Sequence, residues 1–283
     1  MAEKNFFEPK QSLNIKGKIF DLSKPKVMGI LNITPDSFYN NSRTNSIDEA
    51  LRKTETFLND GATFIDIGGY SSRPGAKDIS TDEELGRLIP VVEAINKNIP
   101  EAIISIDTFR AKVAEETILA GAHIINDIAS GDMDDKMFET VARLQVPYIM
   151  MHMQGTPQNM QQNPVYDNVL LDVIDYLAKK IDTLKKLKVH DVIIDPGFGF
   201  GKTIEHNYEL LNQMQEFKIF KLPVLAGFSR KGMIYKVLKN TAAEALNGTT
   251  ILNTIALQKG AKILRVHDVK EAVECVKLVE MLG

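Results

Sequence analysis

From Lys26 onward, short apolar runs alternate with longer stretches in which apolar residues recur every three or four positions. The short runs, residues 27–31, 64–67, 103–106, 124–126, 148–151, 192–194, 224–226 and 263–266, are rich in Ile, Val, Phe and Leu and have the length of buried strands. Between them, Ile47, Ala50, Leu51, Thr54, Phe57 and Leu58 mark one helical stripe, and Val169, Leu170, Val173, Ile174, Leu177, Ile181 and Leu184 mark another. No Pro/Gly/Ser-rich linker interrupts the alternation, which predicts a single domain of βα repeats over residues 1–283. About eight strands is the number that closes a (β/α)8 barrel.

Local signals agree with this reading. The phrases NDGATFIDI, LAGAHIIND and QKGAKILRV each run from a helix through a Gly-Ala turn into an apolar strand, three copies of one αβ joint. Asp82, followed by Glu83 and Glu84, is expected to cap a helix N-terminus. Ahead of the repeats, Phe6, Phe7, Leu13, Ile15, Ile19 and Phe20 alternate around Gly17, which predicts a β-hairpin able to plug one end of the fold. The rival architecture is an open doubly wound sheet. It would carry a glycine-rich phosphate loop after its first strand, whereas this strand runs into Asn32-Ile33-Thr34-Pro35-Asp36. The expected fold class is therefore α/β, a single (β/α)8 TIM barrel with an N-terminal β-hairpin.

Composition narrows the function. At 283 residues and 44% hydrophobic the chain buries a sizeable core, and 34 basic against 37 acidic residues argue against nucleic acid held by bulk charge. Cys275 is the one cysteine, so no intrachain disulfide and no cysteine-based zinc site is expected. The first residues lack an apolar signal region, and no apolar run approaches the roughly 18 residues of a membrane span. A cytoplasmic protein with no membrane partner is expected.

Polar residues gather where the strands end. Asn32, Asp66, Asp107, Asn126, His152, Asp195, Lys231, Arg265 and His267 lie at or near these ends, and a closed barrel turns all of them toward one cavity. Asp107, Asn126, Asp195 and Lys231 mix acceptors and donors as a flat heterocycle with alternating N–H and carbonyl groups requires. Asn32, Ser72, Arg73, Arg265 and His267 suit a phosphate or diphosphate. Asn32 also offers one oxygen to Mg²⁺, which would arrive with the substrate because no carboxylate cluster dictates a metal held by protein alone. The glycines of DPGFGFGK let backbone and Phe200 approach a ligand closely. His152 is read as structural, His123 and His190 as capping or solvent-facing at the opposite rim, His206 as a helix-surface residue, and Met150, Met151 and Met153 as core.

In order along the chain, ILNITPDSF, DIGGYSSRPGA, SIDTFRAKVAEETILAGAHIINDIASG, MHMQGTP, IIDPGFGFGKT, LAGFSRKGMI and ILRVHDV resemble the motifs of the dihydropteroate synthase family, a folate-pathway family targeted by sulfonamides. The resemblance implies a (β/α)8 barrel and transfer of a dihydropterin from its diphosphate to 4-aminobenzoate, with release of pyrophosphate. By position it makes Asp107, Asn126, Asp195 and Lys231 pterin-binding and Asn32 the magnesium ligand. Ser72, Arg73, Arg265 and His267 fall where the diphosphate is held, and Phe38, Pro74, Phe200 and the helix start after Lys231 where the aminobenzoate sits. It also implies catalytic roles for Arg73, Lys231, Arg265 and His267, and a homodimer.

Two positions depart from the family pattern. Its second loop reads G-G-E-S-T-R-P-G where this chain has Tyr70 and Ser72, so a charge and a methyl are missing. Gly232 replaces the serine of S-R-K-S and keeps the backbone N–H but not a hydroxyl. A corrinoid-dependent methyltransferase and a catalytically silent pterin-binding paralogue are the rival readings at this level. The first has no need of Arg73 and His267 arranged for a diphosphate.

Overall fold

The computed structural model of the chain describes residues 10–33, 43–71 and 78–282. A hairpin of β1 (Ser12–Ile15) and β2 (Lys18–Asp21) comes first. Its turn places Lys16 and Gly17 at φ 49° and 77°, the two consecutive left-handed residues of a tight hairpin. Then follow β3 (Lys26–Asn32), α1 (Arg43–Asn59), β4 (Phe64–Gly68), α2 (Thr81–Asn98), β5 (Ile103–Asp107), α3 (Ala111–Leu119), β6 (Ile124–Asp127), α4 (Met137–Leu144) and β7 (Tyr148–Met151). The second half runs α5 (Val169–Lys186), β8 (Val192–Asp195), α6 (Ile204–Asn212), a 3-10 turn (Met214–Phe220), β9 (Leu225–Ala226), α7 (Gly232–Leu238), α8 (Leu246–Gln258), β10 (Ile263–Val266) and α9 (Val269–Glu280).

The eight later strands pair in parallel in the order β8-β7-β6-β5-β4-β3-β10-β9. A single bridge between Ile194 and Val224 brings the two ends of that order together into a barrel. All eight expected strands are present, five of them longer by a residue at one or both ends and the expected 224–226 reduced to Leu225–Ala226, and helices cover the outer face. At the three repeated joints Gly61, Gly121 and Gly260 adopt φ of 98°, 118° and 95°, and the alanine after each donates its N–H back to the preceding helix. That left-handed helix stop is the reason for the Gly-Ala repeat. One expectation is corrected: α2 is capped by Ser80, whose side chain accepts from Glu83 N at 3.1 Å. Asp82 instead lies in the first turn with Glu83 and Glu84. No helix among the described residues is long and apolar enough to cross a membrane.

Strand periodicity divides the interior into layers. Outward-facing Val27, Ile65, Ile67, Ile104, Ile106, Ile125, Ile194 and Leu264 pack beneath the helices. Inward, Met28, Phe64, Ile124, Ile149, Ile193, Leu225 and Ile263 form an apolar lower layer with Leu13, Ile15 and Leu22 of the hairpin region. Phe20 closes onto Phe64 at 5.3 Å between ring centroids. Phe6 and Phe7 lie outside the described residues, and Ile19 faces solvent. Two residues beyond Phe64, Ile103, Ile124, Ile193 and Ile263 stand Asp66, Ser105, Asn126, Asp195 and Arg265, so one step of the pleat carries these strands from hydrocarbon to polar and charged groups, while β7 keeps an apolar Met151.

Candidate active site

The upper layer is organised around Asp66, which is fully buried. Its carboxylate accepts from Ser105 Oγ at 2.6 Å, Asn126 Nδ2 at 3.0 Å and Arg265 Nε at 2.6 Å. The other arm of Arg265 donates from Nη2 to Asp107 Oδ2 at 2.6 Å. One guanidinium thus bridges two carboxylates from different strands, its separate N–H groups reaching one each. Burial raises the Asp107 carboxyl above its usual range, and Arg265 opposes that shift.

Across the cavity, buried Asp195 ends β8 and accepts from Gly197 N at 2.7 Å through Oδ1. Burial also raises its pKa, with Lys231 the main opposing charge. Lys231, the N-cap residue of α7, donates from Nζ to Phe198 O at 2.6 Å and lies 4.6 Å from the centre of the Phe200 ring. Burial lowers its pKa to about 8. The four residues expected to grip a heterocycle therefore gather at one end of the barrel, Lys231 within electrostatic reach of Asp195 and Asp107, and each has a partner that fixes its direction.

Toward the mouth, Ser229 Oγ lies 3.0 Å from His267 Nδ1 and accepts from His267 N at 3.2 Å. Arg230 forms a two-point pair with Asp268, Nε to Oδ2 at 2.9 Å and Nη2 to Oδ1 at 2.8 Å. The loops after β9 and β10 are stitched together immediately beside Lys231 and His267. Asn32 ends β3 above Gly68, on the side where Asp107 stands. Of the expected residues, Phe38, Ser72, Arg73 and Pro74 lie outside the described residues.

The Pterin binding enzyme family model matches residues 28–267. The dihydropteroate synthase of Escherichia coli (strain K12) is 46% identical over 94% of this chain and 94% of its own. The chain belongs to the dihydropteroate synthase family. The Haemophilus influenzae dihydropteroate synthase is 45% identical over 94% of this chain and 97% of its own. The crystal structure of Yersinia pestis dihydropteroate synthase with a sulfonamide drug superposes with a TM-score of 0.89 at 43% identity, covering 96% of this chain and 98% of that one.

Against this family background the Tyr70 departure acquires a setting. Tyr70 is buried edge-on against Phe109, ring centroids 5.0 Å apart, and Gln158 Nε2 donates to its hydroxyl at 3.0 Å. The Arg110 guanidinium stands 5.3 Å from the Tyr70 ring and pairs with buried Glu84. An apolar rim cluster of Tyr70, Phe109, Ile128, Met151, Met153 and Met160 results.

The histidine readings divide. His123 is buried and its Nδ1 accepts from Ile104 N at 3.1 Å, so it caps and is not solvent-facing. His206 completes a capping box with Thr203 at the start of α6. His152 is buried against Lys202, whose Nζ lies 2.9 Å from Nδ1. Sequence reading had placed Asp66 among the strand ends without giving it a task, and had passed over Ser105, Lys202 and Arg230. The even spacing of Asp66, Ser105 and Asn126 from the apolar lower layer is the signal that marks the first two. The tandem Arg230-Lys231 and His267-Asp268 pairs mark the last.

Proposed function

We propose that this chain condenses 6-hydroxymethyl-7,8-dihydropterin diphosphate with 4-aminobenzoate, giving 7,8-dihydropteroate and pyrophosphate. The observation that carries the reading is the polar layer itself, in which buried Asp66, Asn126 and Asp195 share one end of the barrel with partly buried Arg265, Asp107 and Lys231. Gly197 N takes one lone pair of Asp195 Oδ1 and turns the carboxylate, whose two oxygens can then accept in parallel from adjacent N–H groups on the amino-pyrimidine edge. Asn126, Asp107 and Lys231 serve the remaining ring donors and acceptors.

The tail of the substrate lies at the mouth, where Ser72, Arg73, Arg265 and His267 receive the diphosphate. The bond between the pterin methylene carbon and the bridging oxygen breaks with its electron pair leaving on pyrophosphate, and the Arg73 and Arg265 charges, with hydrogen bonds from Ser72 and His267, stabilise that charge as it develops. The electron-rich ring shares the resulting positive charge, so no enzyme nucleophile is needed. The arylamine nitrogen then forms the new C–N bond and loses its proton. Phe38, Pro74, Phe200 and the backbone at Gly232 hold the aminobenzoate and exclude water, which would trap the cation as an alcohol.

No group of three or more His, Cys, Asp or Glu residues suited to a metal occurs among the described residues. Asn32 fits a magnesium ion that comes in with the diphosphate, because one carboxamide oxygen plus phosphate oxygens and waters satisfies that ion. Bound there, the ion would neutralise part of the leaving-group charge. Residues 1–283 act as one domain in the cytoplasm, without nucleic acid or membrane. A homodimer is supported by apolar side chains left at the surface of neighbouring helices, Val237 and Leu238 on α7 and Ile251 on α8. Sedimentation of the purified protein tests the dimer. Pyrophosphate release measured with and without 4-aminobenzoate tests the reaction: release that requires both substrates is expected, and no release with both present would overturn the assignment.

A further inference from the structure

Lys202 closes the glycine loop after β8 yet has no task in the chemistry above. Its side chain is buried, 3% exposed, with no carboxylate among its hydrogen-bond partners. Nζ donates instead to Gly197 O at 2.9 Å and Phe200 O at 3.1 Å, and lies 2.9 Å from His152 Nδ1. These three short contacts, with His152 O a longer fourth at 3.4 Å, take up the N–H bonds of the charged amino group, and Nζ donates to His152 Nδ1 when the imidazole is neutral with its proton on Nε2. Burial lowers the Lys202 pKa to about 7, with Asp195 the opposing charge. Burial and the neighbouring Lys202 charge both hold His152 in that neutral form.

The rest of the loop is equally committed. Phe198 O accepts from Lys231, Gly199 O from Gln161 Nε2 at 2.7 Å, and Gly201 O from the Tyr166 hydroxyl at 2.6 Å. Every carbonyl from 197 to 201 therefore has a donor, and Lys202 supplies two of the five. Curling the chain this tightly requires left-handed backbone at Gly197, φ 73°, where a Cβ would collide with the His152 carbonyl oxygen. The first N–H of the curl, Gly197 N, is the group that turns Asp195, and its second carbonyl, Phe198 O, receives Lys231.

We propose that Lys202 is a positioning residue for the pterin pocket, a three-point ammonium clamp that sets the loop so that Asp195 and Lys231 face the ring together. The inference rests on the pterin reading of the cavity, and it assigns to Lys202 no contact with substrate.

The test compares wild type with Lys202→Met, which keeps the stem and removes the donors, and Lys202→Gln, which restores a shorter neutral donor. KM for the pterin diphosphate, KM for 4-aminobenzoate and kcat are measured alongside direct fluorescence titration with the pterin. For Lys202→Met the pterin KM is expected to rise at least tenfold and the aminobenzoate KM by a clearly smaller factor, since only the Phe200 end of that pocket hangs on the clamp, with Lys202→Gln in between. A folded Lys202→Met protein with wild-type pterin affinity would overturn the proposal, as would equal losses for both substrates. Should the methionine variant not fold, the same split in Lys202→Gln decides. An inactive wild type would instead strike at the proposed reaction, so the two failures are distinguishable.

Discussion

The two ends of the barrel interior are built from the same strands, one pleat step apart, and follow opposite rules. Below, Met28, Phe64, Ile124, Ile149, Ile193 and Ile263 meet the hairpin in a dry apolar layer. Above, Asp66, Asn126 and Asp195 are buried nearly as deeply but hold charge-assisted hydrogen bonds, Asp66 from Asn126 and the partly buried Arg265, Asp195 from Gly197 N. Apolar burial stabilises wherever it is placed, whereas a buried carboxylate is tolerated only while its partners hold. The pterin contacts proposed for Asp195, Asn126 and Asp107 fall in the layer whose stability is conditional.

The largest expected effect lies in the upper layer. Asp195→Ala should weaken pterin binding on the order of a hundredfold or more, since two hydrogen bonds to a charged group are lost at once. Fluorescence titration measures this, and unchanged affinity in a folded variant would remove Asp195 from the pocket. Next, Arg265→Ala should slow turnover strongly and also leave Asp66 and Asp107 buried without their cation, at a cost of about 3–5 kcal/mol. Denaturant unfolding and kcat measured on the same preparation separate the two effects. Its mirror in the lower layer is Phe64→Ala, expected to cost about 3–5 kcal/mol through the cavity left under Phe20 while both KM values hold. A raised pterin KM in that variant would show that the layers are not independent.

A pH profile sharpens the contrast further. Burial lowers the Lys231 pKa to about 8, so its charge is present below that pH and lost above it. The kcat/KM for the pterin diphosphate should therefore fall by about tenfold per pH unit on the alkaline side, and Lys231→Arg should move that limb upward. The smallest effect is expected at Tyr70→Phe, which removes the Gln158 contact but keeps the ring against Phe109. Stability should drop by about 1 kcal/mol with kcat within a few-fold, checked by thermal unfolding and steady-state rates.

Much of this was legible in the sequence because period two and period three-to-four patterns report burial directly. The strands, the repeated Gly-Ala joints and the convergence of Asn32, Asp107, Asn126, Asp195 and Arg265 follow from them. Partnership was not legible. Nothing in the composition around Asp66 says that it bridges three strands, and Lys202 reads as an ordinary helix-leading lysine until the fold sets His152 beside it. The helix start at Ser80 was missed for a local reason: three acidic residues suited the first turn, and a serine just before them took the cap. Tyr70 was read as a lost charge, yet the ring it adds joins an apolar rim cluster that no single motif spells out.

The barrel is joined unevenly. Seven neighbouring strand pairs share continuous ladders, while β8 and β9 meet through the one bridge from Ile194 to Val224. Asp195 follows directly on one side of that seam, and Lys231 stands in the loop leaving the other. A ring held there, as proposed for the pterin, would rivet the loosest stave and tie occupancy of the pocket to the integrity of the cylinder.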